Sequence, residues 1–284
     1  MGQAADPIPA IREEDARGEI AFIFADLRAT LGVPFVNLIW RHIATIPGGL
    51  AWTWALVRPL YVSPVLAQWA TDLRAGLHLP EIPALEEFVY DCAGVEEPAR
   101  LSIAALIEDY NRANATNFLA LLAARAVLMG EAVPGVGGAE AAAPKAGSNR
   151  SDAQPRLLGL DELSLPLHEL VHDLDGFGRI APNGAVASLY RHLAHWPAFL
   201  ALARTALLPR HRDGSLRTEQ QRTIERGRAM AGDLVRSLRA PHVELDETGR
   251  RQVLAALDEF TRLMIGRMIV MGEALAGLVP QPAP

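Results

Sequence analysis

The 284 residues carry 33 acidic against 27 basic side chains, a formal net charge of -6, so neither a nucleic acid nor an anionic membrane finds the positive field it needs as a partner. Half of the residues are hydrophobic and 21% are charged, a globular composition able to bury a sizeable core, while a single cysteine, Cys92, excludes an internal disulfide and any Cys-x-x-Cys redox or zinc site. No apolar run of about 18 residues avoids a charge or a proline, and the polar start MGQAADPIPAIREED lacks the basic and apolar regions of a signal peptide, so a cytoplasmic protein is expected.

Ile20, Ile23, Phe24, Leu27 and Leu31 recur at spacings of three and four, which predicts a helix within 11–31. A second helix spans 37–46, stopped by Pro47 and the Gly48-Gly49 pair, and a third spans 50–57, ended by Pro59. Ser63 caps a fourth, which starts with Pro64 and runs to Leu77. After the loop HLPEIP, helices over 84–92 and 99–129 complete a first unit. Cys92 in FVYDCAG reads as a small buried apolar residue. Residues 130–156 lose periodicity and fill with Gly, Ala, Pro and Ser, the composition of a flexible linker. Helical patterns resume over 163–174, 186–195, 198–208, 216–239 and 247–278, and no strand pattern occurs. The expected fold is all-α, with a helical unit over 1–129, a linker over 130–156 and a second helical unit over 157–284.

The two units share letters. Shifted by 150 positions, VNLIWRHIATIPGGLAWTWALVRP from Val36 lies over VASLYRHLAHWPAFLALARTALLP from Val186 without a gap, and IAALIEDYNR lies over VLAALDEFTR. His, Arg and two Pro are among the shared letters, which core packing alone would not select. A duplicated unit of roughly 130 residues is the size of a small domain. Two tandem helical repeats packed about a pseudo-twofold axis, a pseudo-dimer in one chain, are therefore expected.

Four stretches carry chemistry. His168-Glu169-Leu170-Val171-His172 has the H-E-x-x-H spacing of a zinc peptidase helix. Pro166 just before it, Asp173 just after it and the lack of a third ligand favour an amphipathic helix that shows these residues to solvent, and no metal or cofactor is called for. Arg41 with His42 and Arg191 with His192 stand at matched positions beside Trp40 and Tyr190, where either two cations and an aromatic wall converge on a small anion or the Arg and His side chains point outward and the rings fill the core. Asn111, Asn114 and Asn117 share one face of an otherwise apolar helix, while their counterparts under the shift are Thr261, Met264 and Arg267. That asymmetric polar patch in a symmetric frame marks a site or a solvated face. In HDLDGFG, Asp173 or Asp175 reads as a turn residue or as a general base on a loop.

The repeated VPFVNLIWRHIATIP and VASLYRHLAHWP segments, the linker between them and the Asn-bearing helix resemble the group I 2-haloacid dehalogenases. The resemblance implies a site between two pseudo-symmetric halves, where an Asp activates a water that displaces halide directly from C2 of a small carboxylic acid, without metal or cofactor. It implies that Asn114 helps to hold the water and that Trp40 lines the pocket with Ser188 and Tyr190, while Asn111, Arg41 and Arg191 are further candidate substrate-binding residues from the motifs above. The family pattern has its base Asp between the residues that match Ser188 and Tyr190, where this chain has Leu189. Asp173 or Asp175 is then the expected replacement base. The competing readings are a ligand-binding relative without the base, and a zinc hydrolase through His168, Glu169 and His172. As partner, a small carboxylic acid is expected, with the chain a monomer or a homodimer.

Overall fold

The structure is a computed structural model and describes residues 8–131, 133, 155–181 and 185–280. Most of the expected linker, at 134–154, lies outside the described residues. Among those described, every regular element is helical.

The stretch expected as the first unit contains α1 (Gly18–Leu31), α2 (Leu38–Ile43), α3 (Gly49–Tyr61), α4 (Pro64–Ala75), α5 (Glu87–Cys92) and α6 (Glu97–Leu128). The second contains α7 (Leu165–Gly176), α8 (Ser188–Leu193), α9 (Pro197–Arg212), α10 (Ser215–Leu234), α11 (Glu247–Glu259), a π-helical stretch (Phe260–Ile265) and α12 (Gly266–Ala276). The 32-residue α6 is about 48 Å long at 1.5 Å per residue. It packs against α3, α4, α10, α11 and α12, so it forms the axis of the molecule.

Ends and breaks follow local chemistry. Ser63 caps α4 by accepting from the Val65 N–H, and Pro64 sits in its first turn, where a missing N–H is harmless. Asp246 caps α11 through the Gly249 N–H. Pro59 was expected to end α3 and Pro209 lies just beyond the expected end of α9, yet both helices run through their proline, to Tyr61 and to Arg212. Each proline stands in the last turns, where few hydrogen bonds are forfeited, and the Val62 and Asp213 N–H groups still close back on Arg58 and Pro209. Helix α5 is shorter than expected, because the chain before Glu87 stays irregular after Pro83. Residues 247–278 are not one α-helix, because the π stretch interrupts them. Asp173 and Asp175 lie in the last two turns of α7 and not on a loop. Cys92, expected to be buried, is exposed.

Helices cross closely where a glycine lies. A Cβ on Gly227 of α10 would stand 2.2 Å from the Phe118 ring of α6, and one on Gly272 of α12 would stand 1.9 Å from Asn111 Oδ1. No helix of the described residues is long and apolar enough to cross a membrane.

Candidate functional site

A cavity opens where α2 and α8 begin, against the middle of α6 and the π stretch. Asn37, Leu38 and Ile39 line it from the first unit, together with Tyr110, Asn114 and Asn117 of α6. Ala187, Ser188 and Leu189 line it from the second unit, together with Phe260, Met264, Ile265 and Met268. Under the 150-residue shift Asn37, Leu38, Ile39, Tyr110 and Asn114 correspond to Ala187, Ser188, Leu189, Phe260 and Met264, so matched positions of the two units face one cavity. Their chemistry is not matched. The first unit supplies two amides and a phenol, the second a single hydroxyl and an otherwise apolar wall.

Polar groups in so apolar a surround must be paired. The three Asn of α6 are all buried, so the patch is no solvated face. Asn117 Oδ1 accepts from Trp40 Nε1 at 3.0 Å and from the Tyr61 hydroxyl at 2.6 Å. Asn37 Nδ2 donates to Asn114 Oδ1 at 3.5 Å. Arg41 Nη2 donates to Ser188 Oγ at 3.2 Å, which joins the units across the cavity edge. Tyr110 and His192 form the last pair, with hydroxyl and Nδ1 2.8 Å apart, and the Phe35 ring stacks on Tyr110 at 4.1 Å. Burial pushes the Tyr110 hydroxyl well above its ordinary range. Burial, with His195, Arg41 and Arg191 nearby, pushes His192 down to about 3, so its ring is neutral at pH 7.

The expected site residues divide sharply. Asn114 and Ser188 line the cavity, and Arg41 reaches it through Ser188. Trp40 and Tyr190 are fully buried at matched positions but do not line it. One residue beyond Ile39 and Leu189 turns a helical side chain about 100°, and both rings pack behind the wall. Asn111 faces Gly272 of α12, and the Arg191 Nε donates to the Leu158 carbonyl at 2.7 Å. Neither arginine is among the residues lining the cavity, although the charges of both act on Tyr110, which does line it. Neither aspartate lines it either. Asp173 is exposed and pairs with Arg204 at 2.6 Å. Asp175 is fully buried and held by basic groups: Arg267 Nη2 donates to Oδ1 at 2.9 Å, Arg179 Nη2 donates to Oδ2, and the Ala187 N–H donates to Oδ1 at 3.0 Å. These bonds fasten the start of α8, and with it Ser188 and Leu189, to the end of α7.

The H-E-x-x-H residues are elsewhere. The rings of His168 and His172 lie 4.3 Å apart on α7, neither lines the cavity, and among the described residues no three His, Cys, Asp or Glu side chains are grouped to hold a metal. The sequence reading missed Asn37 and Phe260 as lining residues and gave Tyr110 no role. The signal was present, because projecting the 150-residue shift onto residues flanking each repeated motif would have paired them.

A small, mostly apolar cavity with convergent amide and hydroxyl groups in an all-helical fold is characteristic of the class of proteins that take up a small polar molecule. The comparisons with known proteins narrow that class. One relative, a configuration-inverting 2-haloacid dehalogenase of Alcaligenes xylosoxydans xylosoxydans, is 27% identical over 208 residues, which cover 70% of this chain and 68% of the relative. A D-2-haloacid dehalogenase mutant solved with D-2-CPA superposes with a TM-score of 0.77 at 19% identity, over 96% of this chain and 98% of that one. A D-2-haloacid dehalogenase with L-LA gives the same TM-score and identity over 98% of both chains. No family model matches the sequence. The chain resembles the 2-haloacid dehalogenases in sequence and, over nearly its whole length, in fold.

Proposed function

We propose that this chain hydrolyses the carbon–halogen bond of small 2-halocarboxylic acids, with water displacing halide directly at C2 inside the cavity between α2, α6, α8 and the π stretch. The observation that carries the reading is the cavity itself, built from matched positions of the two units in a fold like that of 2-haloacid dehalogenases. Those matched positions, and helices α2 and α8 lying 150 residues apart at both ends, support two tandem repeats about a pseudo-twofold axis, with 1–129 and 157–284 as the units. The site falls on the axis between them.

In this reading Asn114, with Asn37 behind it, orients the attacking water, since an amide oxygen accepts and an amide nitrogen donates. Ser188, polarised by Arg41, holds the substrate carboxylate. The apolar wall of Leu38, Ile39, Leu189, Met264 and Met268 excludes bulk water and receives the short alkyl group. Direct displacement inverts C2. Asp175 positions α8 and is not the base, because two guanidinium groups and a backbone N–H occupy its oxygens.

The test is chloride release from each enantiomer of 2-chloropropionate by the full chain, with chiral analysis of the lactate formed. Stoichiometric chloride and inverted lactate support the reading, and no release from either enantiomer ends it as an activity. A second reading rests on Leu189, which occupies the cavity wall where a carboxylate would serve: a small acid is bound and not turned over. Saturable binding of 2-chloropropionate without chloride release selects it.

A further inference from the structure

We propose that Tyr110, backed by His192, takes the proton from the attacking water. The proposal rests on the dehalogenase reading above and names the base that reading leaves open.

A water attacking C2 must lose a proton, and the polar side chains lining the cavity are Asn37, Asn114, Asn117, Ser188 and Tyr110. Amides are not bases at neutral pH. Ser188 accepts from a guanidinium and so has no proton acceptor behind that contact. Tyr110 alone in this set is bonded to a titratable acceptor, His192 Nδ1 at 2.8 Å.

Donor and acceptor roles constrain these contacts. Arginine only donates, so Ser188 Oγ accepts from Arg41 and keeps its own O–H to donate. Tyr110 and Ser188 both line the cavity. In the proposed state His192 carries its proton on Nε2, and Nδ1 accepts from Tyr110. Tyr110 then donates its proton to His192 and keeps its Oη lone pairs for an incoming proton. The charged and titratable groups that act on this pair are Arg41, Arg191, His195 and Glu13. An imidazole pushed to about 3 is within about one unit of an ordinary Asp carboxylate, near 4, and so is a base of similar strength to the one it replaces.

The other unit supplies an internal comparison. His42 stacks on Phe260 with ring centroids 5.6 Å apart, the counterpart of His192 and Tyr110 under the shift. There the phenol is a phenyl, and His42 Nδ1 bonds to the Pro9 carbonyl at 2.7 Å. Packing alone is thus met by Phe at this position, and the hydroxyl appears only beside Ser188.

In the step itself, a lone pair of the water oxygen forms the new bond to C2, and the carbon–halogen pair leaves with the halide. The proton of the water moves to Tyr110 Oη as the Tyr110 proton passes to His192 Nδ1, and the imidazolium later releases it to solvent. The balance is 2-halo acid plus water giving 2-hydroxy acid, halide and a proton. Tyr110 is the catalytic residue and His192 the positioning residue behind it.

The experiment compares wild type, Tyr110→Phe, His192→Gln, Leu189→Asp and the pair Tyr110→Phe with Leu189→Asp. Chloride release from 2-chloropropionate is measured alongside calorimetric binding of that acid and melting of each variant. A positioned base contributes about 10²- to 10⁴-fold. We expect kcat to fall by about that range in Tyr110→Phe and in His192→Gln, with KM little changed, and turnover to return when Leu189→Asp is added to Tyr110→Phe. A merely structural role changes KM or melting and is not rescued by a carboxylate at 189. Wild-type kcat in Tyr110→Phe overturns the proposal. A wild type that binds the acid without turnover, while Leu189→Asp releases chloride, overturns it and keeps the haloacid cavity. Absence of both binding and turnover in wild type and in Leu189→Asp removes the dehalogenase reading, and this proposal with it.

Discussion

Replacing Asp175 by Asn separates a positioning role from a catalytic one. Asp175 and Arg267 are both fully buried, with Nη2 and Oδ1 2.9 Å apart, and Arg179 shares the other carboxylate oxygen. Asn keeps the shape but removes the charge, which strands the Arg267 guanidinium in the interior. Breaking a buried pair in this way costs about 3–5 kcal/mol. The partner change, Arg267→Met in the Asp175→Asn background, removes the stranded charge and should recover most of that loss, giving a coupling energy of about 2–3 kcal/mol. Urea unfolding followed by circular dichroism measures all three variants. Because the Ala187 N–H also donates to Asp175, chloride release should fall with stability in the single variant and return with it in the double variant. A single variant within about 1 kcal/mol of wild type, or strictly additive losses, refutes the argument. A double variant that regains stability yet stays inactive would instead make Asp175 the base.

Further outcomes follow from packing, titration and metal content. Gly227→Ala brings a Cβ to 2.2 Å from the Phe118 ring, and overpacking of this kind should destabilise by about 1–3 kcal/mol, read as a lower urea midpoint. His192 is held near 3 in the folded chain against about 6.5 unfolded. As the pH falls below 6.5 the unfolded chain therefore takes up the proton first. Stability contributed by the neutral ring is complete above pH 6.5 and is lost between about 6.5 and 3, at a slope of up to about 1.4 kcal/mol per pH unit. His192→Gln should flatten that part of the stability–pH curve, and an unchanged curve refutes the assignment. Since His168 and His172 lie on α7 away from the cavity, protein purified without added metal should hold well under one zinc per chain by elemental analysis, and one tightly held zinc lost in His168→Ala would restore the hydrolase reading.

Helices were legible because their apolar stripes repeat at three and four residues. The matched motifs at 36–59 and 186–209 located both sides of the site. Their conspicuous letters misled at close range. Trp40 and Tyr190 are shared because the core behind the cavity needs large rings, whereas the wall is made by plainer residues one or two positions earlier, at 37–39 and 187–189. Prolines 59 and 209 look like helix ends, but whether a proline stops a helix depends on how many bonds follow it. Asp175 reads in sequence as a turn residue or a base, and only the tertiary approach of Arg267, 92 residues away, gives it a buried ion-pair partner. The link from Tyr110 to His192 joins residues 82 apart and leaves no trace in spacing.

The π stretch sets a register that the rest of the second unit obeys. Its counterpart in α6, residues 110–115, is ordinary α-helix, whereas Phe260–Ile265 fits an extra residue into its turn. Forcing the same residues into α geometry would rotate α12 by about 100° relative to α11. That rotation would carry Arg267 away from Asp175, Met268 away from the cavity and Gly272 away from Asn111 at once. The π turn thus absorbs one residue while holding α12 in phase, so deleting one residue within 260–265 should cost the second unit less than deleting one within α11 or α12.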